Sequence, residues 1–497
     1  MNNTCKVDRH GARHLELELQ YPLPADQRNS RYTVDLFFFT PASLGLTREH
    51  YGVQGFLHDL KSYTRYGLCM MPLPKLLDKS CELSPLTRIC RQVQTMAAAR
   101  AFDVNKAVYE LKILVNLHHD GVAAQRLLFA RQLKDGIPGD ALRDYVTQYL
   151  ADSKDFMAGV RGLYAVLMAP GIPDEVRQAL RLADEAISIK AEKELHRMCS
   201  LCEKSKHLNA AVKGMEKLIE DEAAYRRKMG FESVAGINFS VQNEAYVYRE
   251  SNLKKWSQSA TYITRETSKT PIRIGHLLAS LAAAVAMAFA VLAAVMAQSL
   301  YAMNSLPWAI LIIVAYMLKD RIKEVARNTL TGLVPALVAD RVVRLIDPLG
   351  NRDVGHSRER IRFCHSQMLP PEVQQMRNLS SDTFRSSLPP ELVLHFSKHL
   401  SLKSHKLLAN HPRLSSLMEI IRINLGSWLG EMDDPVDLLF AMQEGHRAVV
   451  KANRVYHLNL VGRISGFDGA AHTKLFKYRI IMTRKGIKRI EPISFQQ

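Results

Sequence analysis

The 497-residue sequence lacks the short motifs that identify the common classes of enzyme. It has no GxxxxGK loop to hold phosphate, no HExxH pair to hold zinc, no GxSxG turn to expose a serine nucleophile, and no protein-kinase signature. We therefore expect no cofactor and a non-enzymatic protein. An enzyme with an unfamiliar site stays open as an alternative.

Cysteine is also scarce, and its pattern argues against a disulfide framework. Seven cysteines are scattered along the chain, and an odd, scattered set is typical of a reducing compartment. Cys199 and Cys202 form a CxxC within a predicted helix, a weak metal candidate because no second pair follows. Residues 1–30 hold no apolar run of signal-peptide length, so we expect nothing there to direct the N-terminus out of the cytoplasm.

Charged residues are missing altogether from residues 274–300. A bilayer core needs about 20 helical residues, which this run supplies. A second apolar run, residues 306–318, is shorter than a comfortable span. Together they predict a transmembrane helical hairpin over residues 271–320. The alternatives are a buried hairpin in a soluble core and, for the second run, a re-entrant or interfacial position.

Basic residues flank this hairpin and are absent between its two runs. Lys269 and Arg273 precede the first run, and Lys319, Arg321 and Lys323 follow the second. Because cytoplasmic segments carry the excess of Lys and Arg, both arms are expected in the cytoplasm. The expected location is an inner or plasma membrane, with two spans and both termini on the cytoplasmic side.

Small residues recur at every fourth position of the first run, at Ala282, Ala286, Ala290 and Ala294. Such a line lets two membrane helices approach closely. Packing on the second run of the same chain is the preferred interpretation, and a homo-oligomer contact is the alternative.

The rest of the chain predicts an α+β protein with helices and strands in different regions. The expected regions are a mixed N-terminal segment (1–85), a helical region (86–270) with a long amphipathic helix (174–229), the hairpin (271–320), a juxtamembrane helix and linker (321–390), and a basic α+β domain (391–497). A break in the long helix near Ser205 or Gly214 is allowed for.

Strand patterns fall near both ends of the chain. Residues 14–20 alternate apolar and charged side chains and residues 32–40 are rich in aromatic and β-branched ones, which predicts a long-looped β-hairpin. Residues 391–431 are predicted to be mainly helical. The chain is predicted to end in antiparallel strands, at 454–463, 477–483 and 487–493.

Within the predicted C-terminal helix, His395 and His399 stand one helical turn apart. A histidine pair at that spacing can hold zinc on one helix face. No acidic ligand stands between them, so a partly solvated basic face is the preferred interpretation and metal binding the weaker one.

The C-terminal segment carries the strongest local charge in a chain whose net charge is +18. Residues 451–494 hold ten basic and two acidic side chains, with aromatic residues interleaved. The candidate contacts for a polyanion are Lys477, Arg479, Lys485, Lys488 and Arg489. Anionic headgroups or a protein partner are the preferred ligands, and single-stranded nucleic acid and a merely solvating surface are the alternatives.

These observations predict an integral membrane protein that presents cytoplasmic interaction domains to a protein partner, as a scaffold or a regulator. The second hypothesis is a membrane-tethered nucleic-acid-binding protein. Self-association through the first span is the alternative to packing within one chain.

Overall fold

The computed structural model describes residues 5–24, 27–99, 102–202, 206–238, 240–268, 270–303, 305–337, 339–365, 368–378, 391–443, 445–467 and 472–493. Over these residues the protein is α+β, with 13 α-helices and 14 strands in antiparallel sheets. The expected α+β class is therefore confirmed, as are the C-terminal antiparallel strands.

The strands are β1 (Cys5–His10), β2 (His14–Pro22), β3 (Ser30–Pro41), β4 (Leu60–Leu68), β5 (Thr264–Thr267), β6 (Arg341–Asp347), β7 (Arg352–Cys364), β8 (Glu391–Leu402), β9 (Leu414–Asn424), β10 (Val436–Gln443), β11 (His446–Asn453), β12 (Tyr456–Phe467), β13 (His472–Thr483) and β14 (Gly486–Ile493). The helices are α1 (Gly52–Asp59), α2 (Leu73–Leu77), α3 (Pro85–Ala99), α4 (Val104–Lys134), α5 (Gly139–Leu167), α6 (Asp174–Cys202), α7 (Asn209–Lys228), α8 (Ser240–Gln258), α9 (Thr270–Leu300), α10 (Leu306–Leu337), α11 (Pro371–Asn378), α12 (Ser404–Asn410) and α13 (Gly426–Gly430). Short 3₁₀ helices lie at Ala42–Leu44 and Lys206–Leu208.

The chain divides into two compact units, each assembled from separated segments. The β unit comprises Met1–Arg65, Ile263–Asn410 and Ser416–Gln497, and the helical unit comprises Tyr66–Tyr262 and His411–Ser415. The β unit thus joins N-terminal strands to C-terminal strands that lie in separate regions of the sequence-based scheme.

Two sheets make up most of the β unit. One has the order β1-β2-β9-β4, and the other has the order β14-β13-β12-β3-β8-β7-β6-β5. Period-two alternation explains why β2 is a strand: Leu15, Leu17 and Leu19 are buried, and the glutamates between them are half-buried. A third, two-stranded sheet consists of β10 and β11.

The predicted hairpin between residues 14–20 and 32–40 is wrong, because β2 and β3 belong to different sheets. β2 pairs with β1 and β9, whereas β3 pairs with β8 and β12. The physical reason lies in β3, where Leu36 and Phe37–Phe39 are all buried, so both faces of the strand are apolar. A strand of that kind needs a central position with both faces covered, which a hairpin does not provide.

The prediction that residues 391–431 are mainly helical is also wrong. This stretch forms the long strands β8 and β9, with the short helices α12 and α13 after them. In β8 the buried positions alternate through Leu394, Phe396 and Lys398, a period of two. The buried lysine among them obscures that period, because Lys is normally counted as an exposed residue.

The helical unit contains α2 to α8 around one large apolar core. The predicted long helix over 174–229 consists of two helices, α6 and α7, with a 3₁₀ turn before α7 and residues 203–205 outside the described chain. Its predicted apolar face is buried, for example at Leu180, Ile187 and Leu195. The interruption between α6 and α7 falls near Ser205, one of the two places at which a break was allowed for.

Residues 321–390 differ from the expected helix and linker. The second apolar run and the predicted juxtamembrane helix are one helix, α10, and residues 348–390 contain β7 and α11. In β7 the sequence RERIR carries three arginines at alternate positions, a pattern that hides its strand character from a count of apolar residues. Residues 379–390 lie outside the described chain.

Candidate functional site

The helix α9 is the most apolar element of the molecule and is poorly covered by protein. Residues Arg273–Leu300 are long and apolar enough to cross a membrane, and only 17% of their most apolar window is buried. Leu277 is 68% exposed and Leu292 is 61% exposed. A soluble core helix would bury such side chains, whereas α9 leaves them exposed. Among the described residues it is the only helix that passes this test.

The alanine line of α9 lies on its covered face. Ala282 and Ala286 are buried, and Ala290 and Ala294 are half-buried. The neighbouring Val285 is 53% exposed, so the two faces of the helix differ sharply. The helices α9 and α10 pack on each other, and Ala315 on α10 is also buried. The role of the alanine line in helix packing stays a prediction.

The helix α10 does not meet the length and composition of a membrane span, so the predicted two-span hairpin is not confirmed. Its apolar part, residues 306–318, is followed on the same helix by Lys319, Asp320 and Arg321. At 1.5 Å per residue, those 13 or so apolar residues cover about 20 Å, which is less than a bilayer core of about 30 Å.

The predicted orienting cations lie at the polar parts of α9 and α10. Arg273 is exposed in the first turns of α9, and Lys323 is exposed on α10. Lys319 Nζ lies 3.9 Å from the centre of the Tyr316 ring and 3.8 Å from Asp320 Oδ1. Arg321 Nη1 lies 3.5 Å from Glu324 Oε2. The remaining candidate, Lys269, lies outside the described residues.

The five C-terminal candidate cations do not form one surface. Lys477 is buried, and its Nζ donates a hydrogen bond of 2.9 Å to the Arg377 carbonyl. Arg479 is half-buried, whereas Lys485 and Lys488 are exposed. Arg489 is exposed and donates from Nε to Glu491 Oε1 at 2.6 Å. The exposed charge is thus concentrated around the β13–β14 turn.

His395 and His399 do not form a zinc pair, because they lie on the strand β8 and not on a helix. At a strand rise of about 3.3 Å per residue, four residues separate them by about 13 Å. His395 Nε2 lies 3.0 Å from Asp35 Oδ1, and its ring stacks on Phe37 with centroids 4.2 Å apart. His399 Nδ1 lies 3.0 Å from Thr33 Oγ1. Each histidine therefore has a different local partner.

Cys199 and Cys202 lie in the last turn of α6, half-buried and buried respectively. Burial raises the pKa of the Cys202 thiol to about 11, which is the opposite of what metal binding or nucleophilic reactivity requires. Over the described chain, no group of three or more His, Cys, Asp or Glu side chains is placed to hold a metal ion.

A cleft of about 320 Å³ in the helical unit is where an enzyme site would be sought. It is lined by His119, Lys190 and Lys193, among others. Burial lowers the pKa of His119 to about 4, so the imidazole is neutral near pH 7. Lys193 Nζ lies 2.5 Å from Glu250 Oε2 and Lys190 Nζ lies 2.9 Å from Glu194 Oε1. Both lysines are thus paired with carboxylates, and the histidine is half-buried.

The most concentrated electrostatic feature is a buried ionic network in the β unit, which the sequence analysis missed. Its central lysine, Lys398 on β8, is 1% exposed, and it contacts Glu419 on β9 and Glu359 on β7, with its Nζ 3.6 Å from Glu359 Oε1. Arg265 on β5 also contacts both carboxylates, at 2.9 Å to Glu419 Oε1 and 3.2 Å to Glu359 Oε1. Arg341 Nε donates to Glu359 Oε2 at 2.6 Å. The network therefore links strands of both large sheets.

Hydrogen bonds satisfy the remaining oxygens of this network. The Tyr21 hydroxyl donates to Glu419 Oε2 at 2.9 Å, and Ser62 donates to Glu419 Oε1. Burial by itself would raise the pKa of Glu419. The charges of Lys398 and Arg265 and the hydrogen bonds outweigh that effect and lower the pKa to about 2. Glu419 is shared between two cations, and Glu359 is shared among three. Such an arrangement locks charges in place, which suits a structural role better than proton transfer.

The opposite face of β7 carries a second feature that the sequence analysis missed. Arg358, Arg360 and Arg362 alternate along the strand with the buried Glu359 and Ile361, so the three guanidinium groups point to one face. We call these three residues the arginine row. The signal was present in the sequence RERIR, but it is informative only once the segment is known to be a strand.

No protein-family model, no curated protein and no solved structure matches this chain. Functional inference therefore depends on the residues themselves. Three surfaces of the protein bear on its function: the exposed apolar face of α9, the exposed cations of the β unit, and the two-stranded sheet of β10 and β11.

Proposed function

We propose that the protein is anchored in an inner or plasma membrane by α9 and α10, and that it works there as a non-catalytic interaction protein. The single observation that carries the anchor is the exposed apolar surface of α9, whose side chains such as Leu277 and Leu292 are more than half exposed. Lipid is the solvent in which that surface is stable.

In this proposal both helices cross the bilayer as a hairpin, and both arms of the chain lie on the cytoplasmic side. Because the apolar part of α10 is short for a span, this arrangement requires Lys319, Arg321 and Lys323 to extend their long side chains to the headgroups. The connection between the helices has no Lys or Arg, in keeping with the far side of the membrane. A re-entrant α10 is the alternative arrangement.

Alkaline carbonate extraction of cell membranes tests the anchor. The wild type should stay in the pellet, whereas a variant with Val285→Asp and Leu292→Asp should be released, because each charge near the middle of a span costs about 3 kcal/mol. The matched control is Val247→Asp, which places the same charge on an exposed valine of α8. Release of the wild type would refute the anchor.

The interaction role is supported by β10 and β11, which form a separate two-stranded sheet with unusual exposure. Phe440 is 83% exposed, and Leu438, Leu439, Met442 and Val449 are each about half exposed or more. Two strands alone are marginally stable in water, and contiguous exposed apolar surface marks interaction sites. We therefore place a protein-binding surface on this sheet.

Affinity purification of the detergent-solubilised full chain tests that surface. A partner should copurify with the wild type and be lost with Phe440→Ser. The control is Tyr248→Ser, because Tyr248 is a 70% exposed aromatic residue on α8. Equal loss in both variants, or loss in neither, would argue against a docking role for β10 and β11.

The second candidate function is a membrane-tethered nucleic-acid-binding protein. The exposed Lys485 and Lys488 and the arginine row favour it, because phosphate contacts supply most non-specific affinity. Titration of the solubilised protein with single-stranded DNA at several salt concentrations tests it. Tight binding that weakens steeply with salt would promote this candidate over the first.

A further inference from the structure

The two-stranded sheet of β10 and β11 has a free edge on each side. Among the described strands, neither β10 nor β11 pairs with any strand except the other. A free edge presents a row of backbone N–H and C=O groups that can pair with another strand. Natural proteins usually interrupt such an edge with charged side chains, proline or a bulge, so the two edges can be compared by these features.

The backbone groups on the β10 edge follow from the hydrogen bonding at the base of the hairpin. There the Arg454 N–H donates to Pro435 O at 3.1 Å, and the pairing continues to the turn without a register shift. Because hydrogen-bonded pairs alternate along an antiparallel ladder, the even-numbered residues of β10 direct their backbone groups away from β11. The Leu438 N–H is one of these groups, and it donates to Asp437 Oδ1 at 2.9 Å.

The β10 edge has none of the usual interruptions in its central part. Between Leu438 and Met442 it has no charge, no proline and no bulge. Leu438, Phe440 and Met442 are each half exposed or more, and they share one face of the hairpin because side chains alternate along a strand. This edge is therefore regular and apolar, and both properties favour the addition of another strand.

The β11 edge differs from the β10 edge in charge. Its outward-facing residues include Arg447 and Lys451, which are exposed and lie on the same face as Phe440. If two β11 strands paired in the antiparallel sense about their central Val449, Arg447 of one copy would stand opposite Lys451 of the other. Like charges directly opposite each other destabilise a sheet. The β11 edge is therefore unsuited to pairing with itself.

The β10 strand, in contrast, is self-complementary in the antiparallel sense. With Phe440 on a two-fold axis, the two Phe440 side chains become cross-strand neighbours, and Leu438 of each copy stands opposite Met442 of the other. Aromatic and apolar cross-strand pairs of this kind stabilise antiparallel sheets. The one charged residue of β10, Asp437, lies away from the axis and forms an ion pair of 2.7 Å with Arg454 Nη2.

Pairing of two β10 strands supplies what the hairpin lacks. Within the described chain, β10 and β11 pack mainly on each other. Two strands alone are marginally stable in water, whereas three or more strands with an apolar face can be stable. Two hairpins joined through β10 form a four-stranded sheet with β11 on both outer edges. Because the same residues meet from both sides, this arrangement closes after two copies.

We infer that the protein-binding surface on β10 and β11 joins two copies of this chain through antiparallel pairing of their β10 strands. This inference rests on the proposed interaction role of the hairpin and names a second copy as its partner. It does not depend on the membrane anchor.

The test uses full-length copies that carry two different affinity tags, expressed together and solubilised in detergent. Wild-type copies should copurify through either tag. In L438K/M442K, lysine stands opposite lysine on both sides of the axis, so copurification should fall about tenfold or more. L438E/M442E should show the same loss. When the lysine variant and the glutamate variant are expressed together, opposite charges face each other, and copurification should return.

The control V241K/Y248K adds two lysines at exposed apolar positions of α8 and should copurify as the wild type does. Restoration in the mixed sample would show that both charge variants are folded. Loss without restoration would overturn pairing through β10. Copurification that survives L438K/M442K would place the association elsewhere and would also overturn it.

The outcomes separate this inference from the interaction role on which it rests. Suppose that wild-type copies do not copurify, but an unrelated protein is captured and is lost with Phe440→Ser. That result would refute the second copy and leave the interaction role of the hairpin intact. Capture of neither a second copy nor another protein through the hairpin would refute both.

Discussion

The charged side chains on the two faces of β7 differ in burial and in ionic pairing. On the inner face, Glu359 is fully buried and is shared among Lys398, Arg265 and Arg341. On the outer face, Arg358 and Arg362 are exposed and have no carboxylate partner within the described chain. Alternation along one strand therefore separates a buried ionic network from an outer face on which Arg358 and Arg362 are exposed. Charge alone does not distinguish structure from function, whereas burial and pairing do.

The largest expected effect comes from breaking the inner network. Lys398→Met keeps the length of the side chain and removes its charge, leaving Glu419 and Glu359 with too little compensation. We expect a loss of about 3–5 kcal/mol in the free energy of unfolding. Urea unfolding in a W256F/W308F background reports on the β unit, because Trp428 is then the sole tryptophan. A loss below about 1 kcal/mol would show that the network is not structural.

The second prediction concerns pH. The pKa of Glu419 in the folded protein is about 2, below its ordinary value of 4.5. Its stabilisation is therefore complete above about pH 5 and is lost as pH falls from there towards 2. We expect the stability of the β unit to drop by a few kcal/mol across that window. In Glu419→Gln the drop should be clearly smaller, and an equal drop would assign the acid sensitivity to other groups.

The third prediction applies the same contrast to the two faces of α9. Ala286→Leu places a bulky side chain on the covered face and should weaken α9–α10 packing by about 1–3 kcal/mol. Ala284→Leu makes the same change on the exposed face and should have little effect. Cross-linking between one cysteine probe in each helix measures the packing. If the two variants behaved alike, the alanine line would not be an interface.

The smallest expected effect on stability belongs to the outer face of β7. Arg358→Gln and Arg362→Gln remove exposed, unpaired charges, so the free energy of unfolding should change by less than about 0.5 kcal/mol. The same urea measurement with Trp428 as reporter compares them directly with Lys398→Met. Destabilisation as large as that of Lys398→Met would mean that both faces are structural, and the contrast would fail.

Local patterns predicted the α+β class, the C-terminal strands and the apolar surface of α9 from the sequence. Those features depend on short-range periodicity, which is readable without an alignment. The inner network was not predictable, because Arg265, Glu359, Lys398 and Glu419 lie far apart in the chain and meet only when the two sheets pack. The misassigned strand β8 illustrates the same limit, since its buried Lys398 interrupts the apolar alternation.

The central claim is that α9 and α10 anchor the protein as a hairpin with both arms in the cytoplasm. Topology reporters that are active on opposite sides of the membrane, fused at Gln497 and inserted at Ala302 between the helices, test it most directly. The account predicts opposite readouts, with Gln497 on the cytoplasmic side and Ala302 on the far side. Identical readouts at the two positions would contradict the hairpin, leaving a re-entrant arrangement or no crossing at all.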